Sequence, residues 1–178
     1  MELHPKYIKM LREVLDDIQF KAIMEAYEQE PVRGLRFNTD KPCDNPFKGE
    51  MSRVNPDIFI PKHYASTVTH PFQHAGCYYI QDPSATIPVL ALDLQADDTV
   101  IDLCAAPGGK SSYILNQIPD GFLIANEIDG KRNQKLVNNL VRWGHENVVV
   151  TQEPLDKIAK QHKNTFNKVL LDAPCSGE

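Results

Sequence analysis

The sequence has no long apolar run and no leader-like start. None of its 178 residues lies in an uninterrupted stretch of about 18 apolar residues, the length that a membrane-spanning helix needs. Residues 1–6 lack the apolar centre of a secretory signal peptide. We therefore expect a cytoplasmic protein that makes no contact with a membrane.

Cysteine is scarce, and no two cysteines are spaced as a Cys-x-x-Cys pair. The four cysteines lie at positions 43, 77, 104 and 175, which is typical of a reduced protein with free thiols. Three histidines, at positions 63, 70 and 74, precede Cys77, but Pro71 interrupts their spacing. We predict no metal site.

The sequence also has no excess of positive charge. Lysine and arginine number 19 against 24 aspartate and glutamate residues, for a net charge of −5, which is not typical of a protein that binds nucleic acid. Basic residues are nevertheless concentrated in two places: Arg33, Arg36, Lys41, Lys48, Arg53 and Lys62, and then Lys131, Arg132, Lys135 and Arg142. Each group is either a solvated surface or a contact for RNA, and the sequence leaves both interpretations open.

Two kinds of pattern divide the chain. Apolar side chains recur at helical spacing from Tyr7 to Tyr27, which predicts two helices within residues 5–30 whose apolar side chains belong to a core. Short strands and turns are expected over residues 31–78, with an entry helix at about 82–92. We predict an α+β domain at residues 1–75 and a second domain at residues 76–178.

The second domain alternates strands with helices. Strands are predicted at 99–104, 121–126, 147–151 and 167–172, and helices at 110–118, 130–143 and 155–162. This alternation predicts an α/β fold with a Rossmann-like parallel sheet and helices on both faces. The buried side of the middle helix is marked by apolar residues, namely Leu136, Val137, Leu140, Val141 and Trp143.

A glycine turn follows the first predicted strand of this sheet. Residues 102–110 read Asp-Leu-Cys-Ala-Ala-Pro-Gly-Gly-Lys, and ligands bind at this kind of corner in open α/β sheets. Adjacent glycines let backbone N–H groups approach a ligand, and the following helix start favours negative charge. A phosphate-binding P-loop is excluded because the position five before Gly109 is Cys104, and the Gly-x-Gly-x-x-Gly dinucleotide pattern is absent.

The next strand ends in an acidic residue. Phe122 to Ala125 are apolar and lead into Asn126 and Glu127, which lies 18 positions after Gly109. A carboxylate there accepts hydrogen bonds from both hydroxyls of a ribose. A ribose without a pyrophosphate partner indicates S-adenosylmethionine (SAM), although Glu127 is alternatively no more than a solvated strand end.

A second polar corner closes the chain. The apolar residues 168–171 are followed by Asp-Ala-Pro-Cys-Ser-Gly at 172–177, and the carboxyl ends of parallel strands face one crevice. Free cysteines are often small buried hydrophobic residues. Because Cys175 follows a proline in a polar turn, we predict functional roles for both Asp172 and Cys175.

Together these motifs resemble the SAM-dependent RNA (cytosine-5) methyltransferases of the NOL1/NOP2/Sun family, in particular the bacterial members that methylate 16S ribosomal RNA. The resemblance also covers residues 34–39, Gly-Leu-Arg-Phe-Asn-Thr, and residues 79–85, Tyr-Ile-Gln-Asp-Pro-Ser-Ala. It implies a class I methyltransferase fold. It also implies RNA as the partner, in the form of 16S rRNA or the small ribosomal subunit, and a monomeric protein whose residues 1–75 assist RNA binding.

The resemblance assigns roles to individual residues. SAM would be bound by Cys104, Ala105, Ala106, Pro107, Gly108, Gly109, Lys110, Glu127 and Asp172. Asp172 would lie beside both the methyl group and the target base, and Cys175 would help to release the methylated product. Pro154 stands where family members usually place an acidic residue near the adenine, so that contact is unassigned.

The reaction needs a nucleophile as well. Carbon 5 of cytosine becomes nucleophilic once a thiolate has added to carbon 6, and the resemblance assigns this thiolate to a Thr-Cys motif downstream of residue 178. We therefore expect the 178-residue chain by itself to bind SAM without turnover. Two other functions stay open: a catalytically inactive SAM-binding module for RNA or ribosome assembly, and a DNA cytosine-5 methyltransferase that uses Cys175 as its nucleophile.

Overall fold

The computed structural model describes residues 3–174, which form two compact units at 3–32 and 33–174. The first unit contains helices α1 (Pro5–Val14) and α2 (Asp17–Tyr27), as predicted. Asp16 begins α2 with a reciprocal capping box, in which its side chain accepts from the Gln19 N–H. The prediction that the apolar side chains of these helices belong to a core is wrong for Val14 and Ile18, which are 69% and 84% exposed.

The second unit begins with a small antiparallel sheet. Its strands are β1 (Gly34–Phe37), β2 (Gly49–Met51), β3 (Ile58–Pro61) and β4 (Tyr78–Gln81), in the order β2-β3-β1-β4. Two short helices, α3 (Ala65–Val68) and α4 (Pro71–His74), connect β3 to β4. Strand β4 pairs with β1 although it lies after residue 75. The domain division at 75/76 stays a prediction.

A four-stranded parallel sheet follows, as the sequence predicts. A 3-10 turn (Pro83–Thr86) and helix α5 (Ile87–Leu90) lead into it. Its strands are β5 (Thr99–Asp102), β6 (Phe122–Asn126), β7 (Val148–Thr151) and β8 (Lys168–Leu170). The intervening helices are α6 (Gly109–Gln117), α7 (Gly130–Trp143) and α8 (Leu155–Gln161). The α/β fold class is therefore confirmed.

Strand order places a crevice at the carboxyl end of β5. The order is β7-β6-β5-β8, so the chain moves outward from β5 in one direction and returns to its other side with β8. Such a reversal opens a gap between the two flanking connections, and ligands bind there. Asp102 is in register with Ala125 on one side and Leu170 on the other. The carboxyl ends of β5, β6 and β8, which precede the predicted site residues, thus lie at one edge of the sheet.

Helices α6 and α7 supply much of the core against this sheet. Tyr113, Ile114 and Leu115 of α6 are buried with Leu123 and Ala125 of β6. From α7, Leu136, Leu140 and Trp143 are buried as predicted, but Val141 is mainly exposed and that prediction is wrong. No helix within residues 3–174 is both long and apolar enough to cross a bilayer.

Candidate functional site

Two glycines shape the turn between β5 and α6. Gly108 has a φ of +105°, a left-handed conformation that favours glycine. A Cβ on Gly108 would lie 3.2 Å from Cδ1 of Leu136, and a Cβ on Gly109 would lie 3.1 Å from Nε2 of Gln81. The turn therefore packs closely against α7 on one side and β4 on the other. It leaves the first backbone N–H groups of α6 without helical partners.

A cavity of about 280 Å³ opens beside this turn. One wall is the loop that the sequence predicts to bind SAM, and the other is the segment Tyr79–Asp82 with Ala85. Of the nine residues predicted to bind SAM, seven line the cavity: Cys104, Ala105, Ala106, Pro107, Gly109, Lys110 and Asp172. Gly108 and Glu127 are not among its lining residues. The motif Tyr79–Ala85 was not predicted to belong to the site.

Glu127 is buried at the carboxyl end of β6, with 3% of its surface exposed. Its Oε1 accepts a hydrogen bond from the Asp129 N–H at 3.0 Å. Its Oε2 has no hydrogen-bond partner within the described residues, although Nη1 of Arg132 lies 3.4 Å away. The alternative that Glu127 is a solvated strand end is therefore wrong. A buried acceptor without a hydrogen bond is costly, and a ligand hydroxyl would satisfy it.

Asn126 holds Glu127 in place by connecting three strand ends. Its Nδ2 donates to the carbonyls of Leu103 and Glu153, at 3.2 and 3.1 Å. Its Oδ1 accepts from the Thr151 hydroxyl at 2.8 Å and from the Glu153 N–H at 2.9 Å. All the usual hydrogen-bonding positions of this fully buried amide are used. The side chain therefore sets the spacing between the loops after β5, β6 and β7.

Asp102 ends β5 and lines the cavity with only 1% of its surface exposed. Its Oδ2 accepts a hydrogen bond from the Ser111 hydroxyl at 2.7 Å, whereas Oδ1 is buried without a hydrogen-bond partner among residues 3–174. Burial raises the pKa of Asp102 to about 6, and the Ser111 hydrogen bond and the Lys110 charge oppose this rise only in part. The folded protein therefore bears the cost of a buried charge at neutral pH.

Asp102→Asn should remove that cost. The pKa of Asp102 is higher in the folded state than in the unfolded state, so folding favours the protonated side chain. The wild type is therefore most stable, relative to a variant with a neutral side chain, below the unfolded pKa of 3.8, and it loses this stability as pH rises through about 6. In urea unfolding we expect Asp102→Asn to match the wild type at about pH 4 and to exceed it by about 2–3 kcal/mol at about pH 7.5. If the difference in free energy of unfolding between the variant and the wild type does not vary with pH, the ionisation of Asp102 is not its cause.

Lys110 and Asp172 join the two predicted corners. Nζ of Lys110 lies 2.6 Å from Oδ2 of Asp172, whose side chain is 54% exposed. The loop after β5 and the loop after β8 therefore meet at the same cavity. Cys175, the other residue predicted from the second corner, lies outside the described residues.

Cys104 is a free thiol in the loop after β5. Burial raises its pKa, and the negative charges of Glu127 and Asp102 raise it further. The thiolate form is thus disfavoured, and a thiolate is the form that attacks carbon. This environment suits a residue that lines a binding loop better than one that acts as a nucleophile.

Arg36 is the main residue of the site that sequence reasoning misplaced. Its group of basic residues was interpreted as either a solvated surface or a contact for RNA, but Arg36 is 1% exposed and both interpretations are wrong for it. Its Nη2 donates to the Gly109 carbonyl at 3.1 Å and to the Ser112 hydroxyl at 2.6 Å. The guanidinium lies 4.8 Å from the centre of the Trp143 ring, and burial lowers its pKa to about 9. Arg36 thereby fastens β1 to the first turn of α6.

One of the three histidines before Cys77 has a structural partner. Nδ1 of His70 accepts a hydrogen bond from the Phe72 N–H and so caps α4. Across residues 3–174, no group of three or more His, Cys, Asp or Glu side chains is arranged to hold a metal ion.

Related sequences agree on a single family. Residues 89–178 match the family described as 16S rRNA methyltransferase RsmB/F. The chain is 30% identical over 183 residues to ribosomal RNA small subunit methyltransferase B of Sodalis glossinidius, covering 98% of this chain and 42% of that protein. It is 42% identical over 104 residues to the 26S rRNA (cytosine-C(5))-methyltransferase nsun-1 of Caenorhabditis elegans, covering 58% of this chain and 16% of that protein. The chain thus spans less than half the length of either relative.

Solved structures agree with the fold. A methyltransferase homolog protein from Pyrococcus horikoshii superposes with a TM-score of 0.77 at 29% identity, covering 98% of this chain and 65% of that one. NSun6 from Pyrococcus horikoshii, solved with SFG, has a TM-score of 0.80 at 17% identity, covering 97% of this chain and 71% of that one, and bears on the fold alone. With the match over residues 89–178, these likenesses show that the chain belongs to the RsmB/F family of 16S rRNA methyltransferases, as its motifs predict.

Proposed function

We propose that this protein transfers a methyl group from SAM to carbon 5 of a cytosine in ribosomal RNA. The observation that carries the proposal is one cavity lined by both the Cys104–Lys110 loop and Asp172. One loop would bind the methyl donor, and the other would present a carboxylate to the base. The full set of predicted SAM-binding residues, with Gly108 and Glu127 included, is part of this proposal.

The chain has groups that fit SAM. The cofactor would supply an activated methyl group on a positively charged sulfur. Glu127 would accept hydrogen bonds from the ribose through Oε2, which is buried and lacks a hydrogen-bond partner among residues 3–174. The cavity of about 280 Å³ is slightly smaller than the usual range for small-molecule sites, roughly 300–1,000 Å³.

Asp172 would act on the base. Lys110 holds its carboxylate at the cavity through the 2.6 Å contact, so the side chain has a defined direction although it is partly exposed. A carboxyl group near N3 of cytosine would stabilise the charge that develops on the ring when a thiolate adds to carbon 6. Cys175 would assist release of the methylated base, and the attacking cysteine is assigned by the resemblance to a Thr-Cys motif that does not occur in residues 1–178.

The proposed substrate is 16S rRNA in the small ribosomal subunit, with the protein acting as a cytoplasmic monomer. Support comes from the family description and from the Sodalis glossinidius relative, whose likeness extends over 98% of this chain. Lys131 and Lys135, at the start of α7, are exposed and available to a phosphate backbone. In a protein that also contains the downstream Thr-Cys motif, methyl transfer from tritium-labelled SAM to small-subunit rRNA, and not to DNA of the same sequence, would support this substrate. Label in DNA alone would contradict it.

Glu127→Ala should weaken SAM binding strongly while leaving the protein folded. Hydrogen bonds to a charged group contribute about 1.5–3 kcal/mol, so we expect affinity to fall about 10-fold to 100-fold in calorimetry. Alanine also removes the 3.0 Å hydrogen bond from the Asp129 N–H and the ion pair with Arg132, so circular dichroism is used to check that the variant is folded. Glu146→Ala, which changes an exposed glutamate of the α7–β7 loop, is the matched control. A folded wild-type protein without SAM affinity, or Glu127→Ala binding at wild-type strength, would contradict the proposed cofactor site.

A further inference from the structure

We propose that Lys48 and Lys62 together bind a backbone phosphate of the RNA strand that carries the target cytosine, and that Arg33 adds positive charge beside them. This inference rests on the proposed function and places a contact for RNA outside the cavity. Lys48 directly precedes β2, and Lys62 directly follows β3. Because the two strands are antiparallel, both lysines lie at one end of the small sheet.

The two lysines lie opposite each other. Gly49 is paired with Pro61 in the register of β2 and β3, and the Lys62 N–H donates to the Lys48 carbonyl at 2.8 Å. The pairing thus continues one position beyond the strands, which directs both side chains to the same face. Both are exposed, and neither makes an ion pair within residues 3–174. Like charges at opposite positions repel, and a bound anion would relieve that repulsion.

This pair of lysines lies on the face of the sheet that leads to the cavity. Side chains two positions apart on a strand share a face, so Lys62 shares the face of Ile60. Cδ1 of Ile60 is 3.3 Å from a Cβ built on Gly34. Gly34 is paired with Gln81 of β4, which lines the cavity. Strands β3 and β4 are two strand spacings apart, about 10 Å. A nucleotide next to the target base would therefore be within reach of the lysines.

Arg33 lies at the same end of the sheet. It directly precedes β1, and the register of β1 with β3 brings it opposite Pro61. Its guanidinium is 5.0 Å from the centre of the Tyr64 ring and stays exposed. Stacking on a ring leaves the guanidinium donors free for phosphate oxygens, and Arg33 has no acidic partner among the described residues.

Other basic residues are less suitable for this contact. Arg36 is buried, and Lys41 donates to backbone carbonyls. Arg53 lies beyond the opposite end of β2. The exposed lysines of α8, Lys157 and Lys160, each form an ion pair with an acid four positions earlier. In a chain of net charge −5, exposed lysines without acidic partners near the cavity favour a polyanion there.

The double variant Lys48→Gln, Lys62→Gln of the 178-residue chain tests this surface. The probe is a fluorescein-labelled single strand of small-subunit rRNA sequence, and anisotropy gives its affinity between about 50 and 200 mM salt. Each phosphate contact adds about 0.7 to the slope of log affinity against log salt. We expect the slope to shrink by about 1.4 and the affinity at about 0.1 M salt to fall about 10-fold to 30-fold. Arg33→Gln should give about half of this change in slope.

A second double variant is the matched control. Lys157→Gln with Lys160→Gln removes the same charge from α8, and the slope should change by less than about 0.3. Both double variants should bind SAM within about twofold of the wild type in calorimetry. Because Lys48→Gln with Lys62→Gln removes a repulsion, its melting temperature should not be lower than that of the wild type. Circular dichroism measures this.

Three results would overturn the inference: equal losses in the two double variants, a wild-type slope in Lys48→Gln with Lys62→Gln, or a folded wild-type chain that binds no RNA. Each would leave the proposed SAM site standing, because calorimetry tests that site separately. A different result would count against the proposed function alone. If RNA binding depends on the two lysines but the protein with the downstream Thr-Cys motif methylates no rRNA, the proposed reaction fails while the phosphate contact stands.

Discussion

Arg36→Ala is expected to lower the free energy of unfolding by about 3–5 kcal/mol, the largest effect of any single substitution considered. The guanidinium donates to Gln81, Gly109 and Ser112 and lies over three aromatic rings. Alanine would leave buried carbonyl and hydroxyl acceptors without donors and open a cavity among the rings.

Urea unfolding followed by circular dichroism and by tryptophan fluorescence measures this effect. Trp143 is the only tryptophan of the chain and lies 4.8 Å beneath the guanidinium, so its emission reports on the same contact. Arg53→Ala, at an exposed arginine, should change stability by less than about 0.5 kcal/mol. A loss below about 1 kcal/mol for Arg36→Ala would mean that the guanidinium network contributes little to the fold.

Arg36→Lys separates charge from geometry. Lysine keeps a positive charge but cannot donate in a planar fork to Gly109 and Ser112 together. We expect it to recover less than half of the stability that alanine loses, because the network depends on direction rather than on charge alone.

Asn126→Leu is expected to cost about 3–4 kcal/mol and to weaken SAM binding as well. Leucine has a similar branched shape but leaves the carbonyls of Leu103 and Glu153 without a donor. It also leaves the Thr151 hydroxyl and the Glu153 N–H without an acceptor. The loops after β5, β6 and β7 would no longer be held at one spacing, and Glu127 is the next residue in the chain.

Stability and affinity should therefore fall together in this variant. Urea unfolding gives the first quantity, and calorimetry with SAM on folded protein gives the second. Asn138→Leu, at an exposed position of α7, provides the matched control. Wild-type SAM affinity in a destabilised Asn126→Leu protein would indicate that the three loops keep their spacing without the amide.

The two largest expected losses of stability are at residues that connect the elements around the cavity, and neither residue is predicted to contact SAM. Arg36 fastens the antiparallel sheet to α6, and Asn126 connects three loops of the parallel sheet. By contrast, Asp102→Asn is expected to stabilise the protein at neutral pH. The protein contains a buried carboxylate at the cavity that lowers its stability, which supports a role for Asp102 in binding a ligand.

Local pattern was sufficient for the parallel sheet. The alternation of apolar strands with amphipathic helices predicted all four strands and the three helices α6, α7 and α8, because each element must bury its own apolar face. The pattern was a poorer guide to burial at single positions. Val14, Ile18 and Val141 occupy apolar positions of predicted helix stripes but are exposed, since periodicity does not reveal which side of a helix another segment covers.

The sequence by itself determined the fold class, the family and the position of the glycine turn, because these follow from short-range spacing along the chain. Only the tertiary structure decided that Arg36 is buried, that the segment Tyr79–Asp82 forms the second wall of the cavity, and that oxygens of Asp102 and Glu127 lack hydrogen-bond partners within residues 3–174. Arg36 meets Gly109 and Ser112 across 73 and 76 positions of sequence. Contacts over such separations depend on how the two sheets pack, and that packing cannot be predicted from the residues next to Arg36 in the sequence.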